Sequence, residues 1–174
     1  MFHGRYKFWL PRPTWQVFAP GAWLGEPDFI IPNLITDAGE EDFLQAIFQN
    51  VFPIAGGSDF YVGLADQTPA ETDALTDIST EPTSAGGYAR QAVPRNGTGW
   101  PTITTINGHK AIQSQTLSFT ASGADFSRNI TRAFLCDVSS GTSGVLFSYS
   151  GALTAGVLVT DGQTFQMQYE ILLD

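Results

Sequence analysis

From residue 59 onward, apolar and polar positions alternate in short runs: "DFYVGLA" (59–65), "YARQAV" (88–93), "QTLSFTA" (115–121), "ITRAFLCD" (130–137), "GVLFSYS" (144–150), "AGVLVT" (155–160) and "QTFQMQYEILL" (163–173). A period of two turns one face of a strand toward a core, and the Gly, Pro, Asn, Asp and Ser clusters between the runs supply turns. The last run is the plainest. Phe165, Met167, Tyr169 and Ile171 fall on one face, and Gln166, Gln168 and Glu170 on the other. Some seven strands with hairpin-like links, such as "SSGTSG" (139–144) and "TDGQ" (160–163), predict a mainly β chain, folded as an antiparallel, jelly-roll-like β-sandwich.

The period shifts to 3.6 in one place, "IPNLITDAGEEDFLQAIFQNVFP". Asp37 as N-cap with Glu40 three residues on makes a capping box, and Glu40, Glu41 and Asp42 occupy the first turn, where the helix dipole favours anions. Phe43, Ile47 and Val51 recur every fourth residue, so one amphipathic helix is expected over 38–51, with Pro53 closing it. Between the first two strand-like runs lies "DQTPAETDALTDISTEPTSAGG" (66–87), an acidic loop too long for a turn. It reads as a functional excursion or a flap.

The opening "RYKFWLPRPTWQVFAPGAW" (5–23) shows neither the twofold alternation of a strand nor the 3.6 spacing of a helix, and its prolines remove backbone donors. This composition suggests an extended N-terminal arm, residues 1–32, preceding a β-sandwich domain, residues 33–174. Arg5, Lys7, Phe8, Trp9, Arg12, Trp15, Phe18 and Trp23 are the residues expected to bind a partner. Fully extended, such an arm reaches up to ~75 Å.

Charge sharpens this division. The net charge is −9, yet residues 1–23 hold three Lys/Arg and no acid, residues 24–87 hold twelve acids and no Lys or Arg, and the remainder is balanced. With no basic stripe on the body, nucleic acid is not an expected partner. Charged residues make up 14% of the chain, well under the usual ~25%, which suits β-structure with a quiet surface. The lone Cys136 cannot form an intrachain disulfide and reads as a core thiol. No run approaches the ~20 apolar residues of a membrane helix, and no secretion leader is apparent, so synthesis in a cytoplasm without membrane insertion is expected.

Candidate chemistry is sparse. His3 and His109 are the two histidines, far apart in sequence, and neither a metal site nor a serine triad can be assembled around them. "GTGW" (97–100) lacks the third glycine of a dinucleotide loop, and Glu40, Glu41 and Asp42 are explained by the helix start. The expectation is a protein without enzyme activity, catalytic residues, cofactor or metal. Serine and threonine ladders near Trp100 suggest a sugar-binding face, against the plainer reading of Trp100, followed by Pro101, as a packing anchor.

Several stretches resemble small structural proteins of tailed bacteriophages: "NLITDAGEEDFLQAIFQ" (33–49), "FYVGLADQTPAETDALTDISTEPTSAGGYARQAV" (60–93), "GWPT" (99–102) and "FSYSGALTAGVLVTDGQTFQMQYEILLD" (147–174). The resemblance covers residues 33–174 and leaves 1–32 outside. It implies a virion component with a β-sandwich, first a capsid decoration or cement protein that grips the major capsid protein or another virion protein. A tail-fibre, baseplate or neck component is the alternative, and a host-glycan-binding module a second. It also implies a homo-oligomer, such as a trimer. Glu81, Pro82, Gly87, Tyr88, Ala89 and Arg90, within "EP…GYAR", are implied to be structural markers at a loop-to-strand junction, without chemistry of their own.

Overall fold

The structure, a computed structural model, describes residues 2–13, 29–36, 39, 59–106, 109–153 and 156–173. Among the described residues there are ten strands: β1 (Phe2–Pro13), β2 (Phe29–Ile35), β3 (Asp59–Ala65), β4 (Gln91–Pro94), β5 (Thr102–Ile106), β6 (His109–Gln113), β7 (Leu117–Thr120), β8 (Arg132–Cys136), β9 (Leu146–Ser150) and β10 (Gln163–Leu173). They form one antiparallel sheet in the order β4-β3-β8-β9-β2-β1-β10-β6-β5, with β7 also paired to β10. The chain is mainly β, as its alternation predicts.

β10 is long enough to hold two partners on one edge. Residues 164–167 pair with β7 and residues 170–173 with β6. At the junction the buried Ser114 accepts a hydrogen bond from the Tyr169 amide through its hydroxyl, and its own amide donates to the Tyr169 carbonyl, each at 2.8 Å. Both backbone groups of Tyr169 are thereby satisfied where the partner strands change.

The sheet folds over itself. Val62 and Leu64 of β3, Val93 of β4, and Ala133 and Leu135 of β8 bury against Leu117 and Phe119 of β7 and Phe165, Met167 and Tyr169 of β10. These are alternate residues of each strand, the positions that the twofold pattern assigns to the core. The opposite face of β3, β8 and β9 is covered too. Phe134, Cys136, Leu146 and Tyr149 form a second buried cluster with Leu75 and Ile78 from the acidic loop. Gly63 makes this layer possible, since a Cβ there would lie 2.2 Å from Phe134 Cζ.

The 66–87 loop is therefore a fitted cover. Its acids act as local caps: an Asp73 carboxylate oxygen accepts from the Ala70 amide at 2.7 Å, and one of Asp77 accepts from the Ala74 amide at 2.8 Å. Gln67 Oε1 accepts from the Ser79 amide at 2.9 Å and the Thr80 hydroxyl at 2.8 Å, closing the base of the loop. The loop's sequence was legible as polar. Two of its apolar residues, Leu75 and Ile78, decide its place.

The N-terminus departs from the sequence expectation. Phe2–Pro13, expected as part of an extended arm reaching to a partner chain, is β1 in the middle of the sheet, in register with β10 from Phe2↔Leu173 to Pro13↔Gln163 and with β2 from Gly4↔Asn33 to Phe8↔Phe29. The alternation is present when the stretch is read from Phe2: Phe2, Tyr6, Phe8 and Leu10 alternate with His3, Arg5 and Lys7, but Trp9 and the prolines obscure it. Pro11 falls at the register break between Trp9 and Arg12, where a missing donor costs little. β2 crosses the expected boundary at residues 32/33. The 38–51 helix lies, Gly39 aside, outside the described residues. β5 and β6, joined through Asn107-Gly108, were also not expected as strands, although β-branched residues around Asn-Gly are a hairpin signal. The run 155–160 contributes a single bridge, Val157↔Ile130.

Candidate functional site

The most constrained polar cluster lies where the acidic loop enters β4, at the "EP…GYAR" positions. Arg90, with its side chain 3% exposed, meets Glu81 in a bidentate pair, Nε to Oε1 at 2.9 Å and Nη2 to Oε2 at 2.8 Å. The same guanidinium donates to the carbonyls of Val138 at 3.0 Å and Gly141 at 2.9 Å, and lies 5.2 Å from the Phe134 ring centroid. Tyr88 donates to Glu81 Oε1 at 2.8 Å and accepts from the Leu64 amide at 2.8 Å. One arginine thus ties the acidic loop, the β3 backbone by way of Glu81 and Tyr88, and the β8–β9 tip into one unit.

The electrostatics are those of a staple. Burial and the Glu81 charge push the Tyr88 hydroxyl far above its ordinary range, so it remains a neutral donor. Burial opposes charge on Arg90, but the Glu81 hydrogen bonds outweigh it and raise the guanidinium further. Cys136, whose Sγ is 3.5 Å from Arg90 Nη1, has its thiol pushed up to about 11, mainly by burial. A neutral phenol, a protonated thiol and a saturated ion pair offer no nucleophile or proton relay at neutral pH. The resemblance implied structural markers at a loop-to-strand junction, and that is where these contacts bring Glu81, Tyr88 and Arg90 together. The spacing alone could not show that Glu81 and Arg90, nine residues apart, face each other.

The residues expected to bind a partner divide into two groups. Arg5, Lys7, Phe8, Trp9 and Arg12 belong to β1, where Arg5 stands across from the buried Glu170, Lys7 from Gln168, Phe8 from Met167, Trp9 from Gln166 and Arg12 from Thr164. Trp15, Phe18 and Trp23 lie outside the described residues. The register thus brings the basic positions of β1 against an acid, an amide and a threonine of the chain's own last strand, a relation hidden in sequence by some 150–160 intervening residues.

Next to these positions runs an uncharged polar ladder. The Thr120 and Thr164 hydroxyls are 2.8 Å apart, Gln166 donates to Ser118 at 3.1 Å, and Gln113 donates to Gln168 at 2.8 Å. Trp100 is not on this ladder. It packs half-buried against the core, its ring centroid 6.3 Å from that of Phe60 and 6.1 Å from that of Tyr169. Its loop is set by Asn96, whose side-chain oxygen accepts from the Thr98 and Gly99 amides. Among the described residues, the exposed large apolar side chains are Ile103 and Leu158. Among the described residues no three His, Cys, Asp or Glu side chains gather where a metal could be held, and no helix is long and apolar enough to cross a membrane.

The sequence profile of one protein family, described as podophage GP4 fiber I protein gp80, matches residues 34–172. That span runs from the end of β2 through nearly all of β10 and includes the Glu81–Tyr88–Arg90 staple. Among curated proteins none matches the chain.

Proposed function

The chain belongs to the podophage GP4 fiber I protein gp80 family, a family of phage virion structural proteins, and from that premise we propose that it is a non-enzymatic building block of a virion fibre. The single observation that carries this reading is the match over residues 34–172, which takes in β3 to β9 whole. The family favours the fibre alternative over the capsid decoration role first expected from the sequence. The fold supports it as well: the folded-over sheet is read as a compact β-sandwich, and its tightest polar cluster rigidifies loops instead of catalysing a reaction.

In this reading the fibre joins another virion protein through the N-terminal residues. Trp15, Phe18 and Trp23 fall in the fifteen-residue connection between β1 and β2, a stretch without Lys or Arg, which suits an apolar contact more than an electrostatic one. The test is direct. Particles carrying an epitope-tagged copy of this protein, labelled with gold, should show label on fibres; label spread over the capsid shell would restore the decoration reading and end this one. Trp15→Ala/Trp23→Ala should leave the isolated protein folded by circular dichroism and reduce its incorporation into particles at least tenfold.

A further inference from the structure

The sheet formed by the described residues has two edge strands, β4 and β5, and the chain treats them differently. At one end β4 stops at Pro94, the Ala92 carbonyl accepts from the Gln115 side-chain amide at 3.0 Å, and the Gln115 backbone amide donates to the Gly99 carbonyl at 2.7 Å. That edge is covered by its own chain. At the other end β5 reads "TITTI", all β-branched residues, with no charge, no proline and an unbroken register with β6. None of the devices that commonly blunt a sheet edge is present in it.

Hydrogen bonding fixes which groups β5 presents. The Ser114 amide donates to the Tyr169 carbonyl, and β6 continues this pairing, so the backbone groups of Ile112 turn toward β10 and those of Gln113 and Ala111 toward β5. Thr102 and Thr104, opposite Gln113 and Ala111, bond inward, and the N–H and C=O of Ile103 point away from the sheet. The Ile103 side chain is 70% exposed. It is also the last member of an apolar row: Ile171 of β10 stands across from Ile112 of β6, and Ile112 across from Ile103. Ile171 packs half-buried against the main core, so the row leaves the core and ends at the sheet edge.

We propose that the β5 edge joins two copies of this chain, β5 of one pairing antiparallel with β5 of the other about a twofold axis that sets Ile103 opposite Ile103. Two observations select a second copy as the occupant. The pairing is self-complementary, because the two Ile103 residues exchange both backbone bonds and the isoleucine row of each sheet meets its own image. Charge points the same way. Each copy carries −9, so copies approach most easily where acids are missing, and residues 82–124, which include β4 to β7, hold none of the seventeen Asp and Glu. Glu170, across from Gln113 two strands in from the edge, is buried. One strand against one strand is a small contact beside the ~1,000 Å² of a stable interface, so it is reversible in solution and gains strength where copies are held together. The inference goes beyond the fibre reading and does not depend on the protein's position in the particle.

The test uses the full-length chain. Sedimentation from micromolar to millimolar concentration should show monomer giving way to dimer. Ile103→Pro removes the outward N–H, a change that an edge strand tolerates, and Ile103→Lys sets two like charges across the axis. Each should weaken dimerisation at least tenfold and leave the urea midpoint of the monomer unchanged; if one misfolds, the other carries the test. Oxidation of Ile103→Cys checks the register, since opposed Cα atoms ~5.5 Å apart suit a disulfide and the native Cys136 is fully buried. The two-chain product, about twice 18.8 kDa, should exceed at least fivefold that from Ser139→Cys at the exposed β8–β9 tip. A monomer at every concentration, a dimer indifferent to both Ile103 substitutions, or a cross-link no greater than the control overturns the proposal. So does a stronger cross-link between Ile103→Cys and Gln91→Cys, which would mean head-to-tail pairing of β5 with β4.

Discussion

Replacing Arg90 with alanine is the most direct test of the loop staple. The substitution removes both bonds to Glu81 and the bonds to the Val138 and Gly141 carbonyls, and takes the cation off the Phe134 ring. What remains is a carboxylate with 22% of its side chain exposed and two carbonyls in need of donors. Breaking a buried ion pair from one side costs ~3–5 kcal/mol, and the residual exposure of Glu81 places this case toward the lower end. With a urea m-value of about 2–3 kcal/mol/M for a chain of this size, the midpoint of unfolding should fall by ~1–2 M with the slope unchanged. Arg132→Ala is the internal comparison. Arg132 is half-buried and donates to the carbonyls of Gln67 and Ser150 and to the Thr68 hydroxyl, so its loss should cost only ~1 kcal/mol. If Arg90→Ala moves the midpoint no further than Arg132→Ala, the buried pair with Glu81 adds nothing beyond the kind of hydrogen bonds that Arg132 also makes, and the reasoning fails.

Other outcomes follow from the same structure. Gly63→Ala should destabilise by ~1–3 kcal/mol in thermal unfolding, because the new Cβ meets the buried Phe134 ring, and Gly63→Ala/Phe134→Leu should recover part of the loss. The Cys136 thiol should resist maleimide at pH 8 in the native protein and react at once in urea. Since its folded pKa is raised to about 11 from an ordinary 9.0, its contribution to stability is complete below pH 9 and is lost as pH rises toward 11, which chemical denaturation across that window would show. Trp100→Ala should cost ~2–4 kcal/mol in unfolding through lost contact with Phe60 and Tyr169. On a glycan array this variant and the parent should behave alike; binding by the parent that vanishes with Trp100 would revive the sugar-binding alternative.

By itself the sequence determined which segments are strands wherever one face is buried and the other wet, because that asymmetry is written as alternation. β10 and β7 were legible for this reason; β8 and β9, buried on both faces, were legible as short apolar runs between turn clusters, and it was the family resemblance that marked Glu81, Tyr88 and Arg90. Polar caps such as Asp73 and Asp77 could be read as a polar loop, but the cover they shape could not, since Leu75 and Ile78 acquire their meaning only from the second apolar face beneath them. β1 stayed hidden because aromatic residues and prolines break its pattern and its partner is the far end of the chain. Only the tertiary structure decided that the first strand completes the last, that Arg5 stands across from Glu170, and that a family-defining body is closed by strands outside it. Pairing between distant segments is set by register and by the shape of the whole sheet, and local composition carries no record of either.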